Sequence, residues 1–531
     1  MSQETATPGI RNPILRGFNP DPAICRVGDD FYIATSTFEW YPGVQIFHSR
    51  NLHDWTLVSR PLDAARLLDL GGVPDSCGIW APCLSHADGR FWLCYTIVRR
   101  FDGNFKDAHN YLTTCETIDG TWTDREYMNS SGFDPSLFHD DDGRKWHVNM
   151  IWDHRPGRGF FGGIVMQEYS PNEKRLVGEP QNIFQGTARG LTEGPHIYKR
   201  DGYYYLLTAE GGTGYEHAVT LARSRQVNGP YEIDPQTHVM TAIDKPEATL
   251  QRTGHGSLVE TPSCDWYLTH LCGRPLSPEV RRCPMGRETA LQRVHWDDAG
   301  WLRLSEPDAA YVAATDHPLE NARYDFDDQV LPDDFQWLRI PDSSRLFSLT
   351  ARPGRLRLIG RESPGSLFET ALVARRQQHF AYVAETRLEF EPQSFQQMAG
   401  LTAWYNGHKF HYLHVTHDEE AGRVLTVMSC PADQSLELDY PVDAAVALPD
   451  DGSAVGLRCT VDRDTLQFAY SLDGENWSNI GPLLDASILS DEAGKTEHGN
   501  FTGAFVGMAC QDLSGRALHA DFDYFSYRET E

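Results

Sequence analysis

The chain has 531 residues, of which 40% are hydrophobic and 11% aromatic, so it is long enough for at least two globular domains. Its 75 acidic and 47 basic residues give a net charge of −28, which excludes nucleic acid and anionic membranes as favoured partners. The same balance favours a neutral substrate over an acidic one.

Two features predict a cytoplasmic protein. The N-terminal segment MSQETATPGIRNP lacks the basic stretch and apolar core of a signal peptide, and no apolar run reaches the roughly 18 to 20 residues that span a bilayer. The eleven cysteines are odd in number and contain no C-x-x-C pair, which is typical of reduced thiols rather than of disulfides or a zinc site.

A repeat of about sixty residues organises the first part of the chain. Five segments share a small or acidic first residue, a short apolar strand, a polar turn and an aromatic-rich strand. They are DPAICRVGDDFYIATS from Asp21, APCLSHADGRFWLCYT from Ala81, DPSLFHDDDGRKWHVNM from Asp134, GPHIYKRDGYYYLLTA from Gly194 and HGSLVETPSCDWYLTH from His255. Five such units predict a five-bladed β-propeller over residues 1–305.

The repeat stops near residue 305. Residues 306–323 are rich in Asp, Ala and Pro and are predicted to be a connector. Over residues 324–531 alternating strand patterns return without the sixty-residue spacing, which predicts a β-sandwich. The predicted fold class is therefore all-β, a five-bladed β-propeller followed by a β-sandwich domain.

The propeller predicts a cluster of three carboxyl groups. The first strand of each blade lines the central channel, so the five template starts converge at one mouth. Asp21 and Asp134 are two of these starts, and Glu193 directly precedes a third. Like charges raise the free energy when they are clustered, so three acids around one axis indicate a functional site.

These carboxyl groups fit general acid–base chemistry better than metal or serine chemistry. Hydrolysis of a glycosidic bond needs one carboxylic acid that protonates the leaving oxygen and one carboxylate that activates water. The longer Glu193 is predicted to be the acid and the shorter Asp21 the base. Asp134 is predicted to raise the pKa of the acid through its like charge.

The motifs together resemble those of glycoside hydrolase family 43, and most closely its two-domain β-xylosidases. The resemblance runs nearly end to end and is carried by FNPDPAICRVGDDFYIATSTFEWYPGVQIFHSRNLHDW, GIWAPCL, GFDPSLFHDDDG, RGLTEGPHIYK, GHGSLVE and MGRETAL. It implies a concanavalin-like second domain and an inverting single displacement, with Asp21 as base, Glu193 as acid and Asp134 as modulator of the pKa.

The same resemblance implies a substrate and an assembly. The expected activity is exo-acting hydrolysis of xylobiose and short β-1,4-linked xylo-oligosaccharides from the non-reducing end. The expected partner is this neutral sugar, with no nucleic acid and no membrane. Similar xylosidases assemble as tetramers, so a homo-tetramer is expected.

Five further residues are predicted to bind the substrate. Trp80 precedes a channel position, Phe38 lies in a loop after the first hairpin, and Trp152 ends a blade-three strand; matching positions line the pocket in similar enzymes. Arg287 is predicted to clamp sugar hydroxyls and to favour ionisation of a nearby carboxylate. Phe501 matches a phenylalanine by which the second domain closes the pocket in similar xylosidases.

His255 starts the fifth copy, and its role stays open between three interpretations. It hydrogen-bonds near the acids, it ligates a divalent cation such as calcium, as relatives often do in the channel, or it is a packed core histidine. No other cofactor is expected.

Two other functions fit the same pattern. An α-L-arabinofuranosidase, alone or as a second activity, is one, because arabinofuranose and xylopyranose present related hydroxyl groups. A sugar-binding propeller without catalysis is the other; it would need the aromatic residues and Arg287 but not a protonated glutamate among acids.

Overall fold

The computed structural model describes residues 9–431, 438–441, 445–494 and 500–530. Its strands are accompanied, within these ranges, by three short 3₁₀ turns at Ala309–Tyr311, Ser343–Arg345 and Ala486–Ile488. No helix among the described residues is long and apolar enough to cross a membrane. The eleven cysteines are present as thiols.

The strands before residue 305 form the predicted propeller. They are β1 (Ala23–Val27), β2 (Asp30–Thr35), β3 (Trp40–Tyr41), β4 (Gln45–Ser49), β5 (Thr56–Ser59), β6 (Gly78–Ala87), β7 (Arg90–Asp102), β8 (Phe105–Cys115), β9 (Glu126–Asn129), β10 (Ser136–His139), β11 (Lys145–Asp153), β12 (Phe160–Ser170), β13 (Arg175–Phe184), β14 (Glu193–Arg200), β15 (Tyr203–Glu210), β16 (Ala218–Ser224), β17 (Glu232–Ile233), β18 (Met240–Thr241), β19 (Gln251–Glu260), β20 (Trp266–Gly273), β21 (Glu288–Trp296) and β22 (Leu302–Leu304).

Five antiparallel sheets make the blades, in the orders β1-β2-β4-β5, β6-β7-β8-β9, β10-β11-β12-β13, β14-β15-β16-β17 and β19-β20-β21-β22, with β18 added to the fourth. Each blade begins with one copy of the sequence template, which confirms the five-bladed propeller. The turn chemistry explains the hairpins: Asp88-Gly89 and Asp201-Gly202 both have positive φ at both positions, as a type I′ turn requires.

The remaining strands form the second domain. They are β23 (Asn321–Tyr324), β24 (Phe335–Leu338), β25 (Phe347–Ser348), β26 (Leu356–Ile359), β27 (Ala371–Arg376), β28 (Ala381–Glu389), β29 (Gln397–Asn406), β30 (Lys409–Asp418), β31 (Gly422–Cys430), β32 (Val446–Ala447), β33 (Val455–Asp462), β34 (Thr465–Ser471), β35 (Ser478–Asp485), β36 (Phe505–Asp512) and β37 (His519–Glu529).

Two antiparallel sheets pack face to face and confirm the sandwich. One has the order β25-β26-β37-β28-β33-β34-β35, with β23 also on β37, and the other has the order β3-β24-β27-β36-β29-β30-β31-β32. The apolar faces of the two sheets form one core between them. Since β23 begins at residue 321, three residues of the predicted connector already pair with the sandwich. The boundaries at 305 and 324 stay predictions.

The propeller contributes a strand to the sandwich, which the sequence pattern did not predict. Trp40 and Tyr41 of β3 pair with Leu338 and Trp337 of β24 at the edge of the second sheet. Trp40 is fully buried and stacks on Phe505 of β36 with the ring centroids 3.7 Å apart. The propeller core therefore continues into the outer face of this sandwich sheet.

Buried ion pairs also cross between the domains. Arg339, which follows β24, bonds Asp75 of the propeller at 2.5 Å, and Arg252 of blade five bonds Asp491 at 2.7 Å and Glu492 at 2.9 Å. Breaking such a buried pair leaves an uncompensated charge and costs about 3 to 5 kcal/mol. These contacts hold the sandwich in a fixed position over one mouth of the propeller channel.

Candidate active site

The five template starts share one backbone conformation. Their φ angles are all positive: 56° at Asp21, 35° at Ala81, 57° at Asp134, 56° at Gly194 and 50° at His255. Asp and His adopt this left-handed region more readily than most residues. The strand register also shifts beside these positions in blades two, four and five, and such bulges redirect side chains. The sequence repeat is therefore a repeat of a backbone turn at the channel.

The structure brings all nine sequence-predicted site residues to one cavity of about 290 Å³. They are Asp21, Phe38, Trp80, Asp134, Trp152, Glu193, His255, Arg287 and Phe501. The cavity is also lined by residues that the sequence did not single out, among them Phe101, Lys106, Phe133, Phe160 and Thr213. The roles assigned to the nine residues stay predictions, but their convergence is observed.

Asp21 is buried and held at both oxygens. Ser36 Oγ donates a hydrogen bond to Oδ2 at 2.7 Å, and Arg287 Nη1 donates to Oδ1 at 2.6 Å. The Nδ1 atom of His255 lies 4.0 Å from Oδ1. Arg287 Nη2 also donates to the backbone carbonyl of Phe501 at 3.0 Å. The arginine therefore neutralises the carboxylate and ties it to the sandwich domain.

Asp134 and Glu193 form a second, mutually repelling pair. Burial, then the charges of Glu193 and Asp21, raise the pKa of Asp134 well above its ordinary value, against a 3.0 Å hydrogen bond from the Gly194 N–H to its Oδ2. Burial raises the pKa of Glu193 to about 7; Lys106 and Arg287 oppose this rise and Asp21 adds to it. The pair therefore retains a proton near neutral pH.

The backbone affects where that proton lies. The Gly194 N–H favours the charged form of Asp134, because a carboxylate is the better acceptor for an N–H donor. Glu193 is part-exposed to the cavity and shares the proton of the pair with Asp134. This arrangement places a carboxyl pair that shares a proton beside the arginine-bound Asp21 in a small cavity.

Lys106 is the principal site residue that the sequence pattern did not indicate. Its ammonium lies 4.0 Å from the ring centroid of Trp152, 4.2 Å from Phe133, 4.3 Å from Phe101 and 4.7 Å from Trp80. Burial lowers its pKa to about 8, against the charges of Glu193 and Asp134. A cation held by aromatic rings next to these two carboxyl groups lowers the pKa of both.

Aromatic rings make most of the remaining wall. Phe501 meets Trp80 edge to face with the centroids 5.5 Å apart and lies 5.4 Å from Phe101. Phe38 lies 5.6 Å from Trp80 on the other side. Ring faces of this kind bury the C–H patches of a sugar. Phe501 thus closes a wall that the propeller alone would leave open.

Replacement of Phe501 by alanine is expected to lower kcat/KM by a factor of about 10 to 150, mainly through KM. Phe501 acts on neighbours by its backbone as well, because its N–H donates to Ser76 and its carbonyl accepts from Arg287. Alanine keeps both bonds, so only the lost ring contact, worth roughly 1.5 to 3 kcal/mol, is measured. Michaelis–Menten kinetics on xylobiose, the substrate expected from the sequence, test this. Phe395→Ala, at an exposed position, is the control. Equal losses in both variants would contradict a pocket role.

A pair of carboxyl groups that shares a proton, an aspartate bound by an arginine, and aromatic walls in a propeller channel are typical of a glycoside hydrolase. Two family models cover almost the whole chain and agree with this class. The chain belongs to the glycosyl hydrolases of family 43, whose model matches residues 10–302. Residues 323–528 match the model described as "Beta xylosidase C-terminal Concanavalin A-like domain".

Similar proteins share the full two-domain length. A protein of Humicola insolens named "Xylosidase/arabinosidase 43B" is 56% identical, with 99% of this chain and 98% of that protein covered. A "Beta-xylosidase" of Bacillus subtilis is 49% identical over 98% of this chain and 99% of its own length. The crystal structure of a xylan β-1,4-xylosidase from Bacillus halodurans has a TM-score of 0.93 at 52% identity, covering 98% and 100% of the two chains.

Proposed function

We propose that this protein is an exo-acting β-1,4-xylosidase that releases xylose from xylobiose and short xylo-oligosaccharides by an inverting single displacement. The observation that carries the proposal is the charge arrangement of the cavity. Glu193 has a pKa raised to about 7, while Asp21 is bound at both oxygens by Arg287 and Ser36. The names of the similar proteins support xylose as the sugar.

The mechanism follows from these two groups. Glu193 gives its proton to the glycosidic oxygen as the bond to the leaving sugar breaks. Asp21 accepts a proton from water, which attacks the anomeric carbon from the opposite face. Asp134 lies beside Glu193 and shares the proton of the pair, and its negative charge, when the proton is on Glu193, favours the protonated form of the acid. Arg287 fixes the direction of the base.

The size and walls of the cavity support an exo-acting enzyme. Its volume of about 290 Å³ is at the lower end of the range of about 300 to 1,000 Å³ typical of ligand pockets. Phe501 comes from the sandwich domain and limits the space next to the aromatic wall. A short sugar therefore fits better than the middle of a long chain.

Hydrolysis of xylobiose followed by proton NMR tests the proposal. The xylose released from the non-reducing end is expected to appear first as the α-anomer, which then mutarotates. Glu193→Ala is expected to lose this initial release of α-xylose. Initial β-xylose would contradict the inverting displacement. Absence of turnover on xylobiose, with hydrolysis of an arabinofuranoside, would contradict the choice of sugar.

An α-L-arabinofuranosidase activity is the second candidate. The name of the Humicola insolens relative, which includes "arabinosidase", is the observation that favours it. The ratio of kcat/KM for matched nitrophenyl xyloside and arabinofuranoside decides between one activity and two.

The basic limb of the pH–rate profile is expected to have its midpoint near the pKa of Glu193, about 7. Activity is lost above this pH because the acid has lost its proton. Lys106→Met should move the basic limb to higher pH, since the ammonium lowers the pKa of Glu193. Measurement of kcat/KM against pH, with Lys106→Arg as the charge-keeping control, checks this. A basic limb that moves down or stays in place would contradict it.

The proposal also includes a bound cation, an oligomeric state and a cellular location. No cofactor is required for the two carboxyl groups to act, and a divalent cation such as calcium is proposed at His255, near Asp21. Calcium takes about six to eight oxygen ligands, so water would supply most of them. A homo-tetramer and a cytoplasmic location are proposed as well; the eleven thiols support the latter.

A further inference from the structure

Two histidines and a glutamate converge outside the carboxylate pocket. They are His317 of the connector, His379 between β27 and β28, and Glu529 at the end of β37. Their ligand atoms all lie within 4.8 Å of one another. They border a cavity of about 510 Å³ between blade five, the connector and the sandwich, which shares no lining residue with the carboxylate pocket.

Both imidazole rings present Nε2 to the same carboxylate. His379 Nε2 lies 3.3 Å from Glu529 Oε2, and His317 Nε2 lies 3.6 Å from Oε1. Two ligands of a tetrahedral metal with bonds of about 2.1 Å are separated by roughly 3.4 Å. The spacing therefore matches that of ligands around one ion, whereas 3.6 Å is too long for a direct hydrogen bond.

The other ring nitrogens are bonded as in metal-ligating histidines. His317 Nδ1 lies 3.3 Å from the carbonyl oxygen of Pro318, which can only accept, so Nδ1 carries the hydrogen of that bond. In the neutral ring Nε2 then has its lone pair directed at Glu529. His379 Nδ1 lies 3.2 Å from the Tyr527 hydroxyl group. Such outer partners orient ligating imidazoles.

Glu529 supplies the negative charge of the cluster, and the charges of Arg16 and Arg274 also act on it. The two other carboxylates nearby are bonded to arginines, Glu288 to Arg274 at 2.6 Å and Glu320 to Arg375 at 2.6 Å. Among the described residues, the ion-pair partners of Glu529 are the two histidines alone. Its Oε2 also accepts the backbone N–H of Glu320 at 3.0 Å, which fixes its direction.

We propose that His317, His379 and Glu529 bind a divalent transition-metal ion of the zinc type, with water from the adjacent cavity completing its coordination. Two imidazole nitrogens and one carboxylate oxygen suit Zn²⁺ better than Ca²⁺ or Mg²⁺, which prefer oxygen ligands. The ion joins the connector to two segments of the sandwich, so its role is to fix the connector between the domains.

Metal binding by the full-length protein tests the proposal. After treatment with EDTA and dialysis against ZnCl₂, the wild-type protein should retain bound zinc. In His317→Ala the affinity for zinc measured by calorimetry should fall at least tenfold, and the bound zinc should be lost. Co²⁺ in place of zinc should give the visible absorption of a four- or five-coordinate ion in the wild type but not in this variant. His317 is the most accessible ligand, so its replacement disturbs packing least.

Two further variants complete the design. Glu529→Gln keeps an oxygen that can accept the Glu320 N–H but removes the charge, and it should lose the metal as well. Exposed His295→Ala is the matched control and should bind zinc like the wild type. Absence of zinc binding in the wild type, or zinc and Co²⁺ signals that persist in both ligand variants, would overturn the proposal. These readouts need no turnover and are independent of the proposed xylosidase activity.

Discussion

Glu193→Gln is expected to lower kcat on xylobiose by a factor of about 10² to 10⁴, the range that a general acid contributes. Glutamine is nearly isosteric but has no acidic proton for the leaving oxygen. The loss should shrink with an aryl xyloside whose leaving group is a weak base, because such a group departs without protonation. Rates on both substrates measure this difference.

The control for this variant is Glu216→Gln. Glu216 is exposed near Gly212 and Thr213, which line the pocket, so the same chemical change is made near the site but outside it. It should keep the wild-type rate on both substrates. A Glu193→Gln protein that loses equal activity on both leaving groups would rule out the acid role and point to a binding role.

Asp21→Asn is expected to have an effect of the same size, about 10² to 10⁴ in kcat, for a different reason. Asparagine tolerates the positive φ of 56° and can still bond Ser36, so the backbone turn is kept. What is lost is the acceptor for the proton of the attacking water. Azide, a nucleophile without a proton to lose, should restore turnover and give an α-xylosyl azide.

Asp29→Asn provides the comparison for Asp21. Asp29 lies exposed in the hairpin turn of the same blade, and its replacement should leave the rate unchanged. An Asp21→Asn protein that azide does not reactivate, or a β-configured azide product, would contradict the role of Asp21 as base on the far side of the sugar.

The propeller could be predicted because its repeat is dictated locally. Each copy needs a left-handed residue at its start and a tight turn, so Asp, Gly or His recurs at residues such as 21, 134, 194 and 255. Those positions face the channel, and the same pattern therefore placed Asp21, Asp134 and, next to Gly194, Glu193. Phe501 came from the resemblance, since no local pattern on the sandwich indicates what it covers.

The parts that could not be predicted depend on distant pairing. Lys106 lies after the β7–β8 turn, outside the template, and is recognised only when four rings from separate parts of the chain surround it. Gly212 and Thr213 also line the pocket, although they lie in a glycine-rich loop outside the repeated template. The two residues of β3 are too few to give a strand period, and their partner β24 lies almost 300 residues later.

The short strand β3 makes the propeller depend on the sandwich domain for its stability. Because residues 40–41 hydrogen-bond into the second sheet and Trp40 lies on Phe505, a chain truncated after residue 305 would expose an unpaired strand edge and a large indole to water. Exchange of the C-terminal domain between relatives must therefore carry the segment around Trp40 with it. Substitutions that change the substrate range are therefore expected to need compatible residues on both sides of this interface.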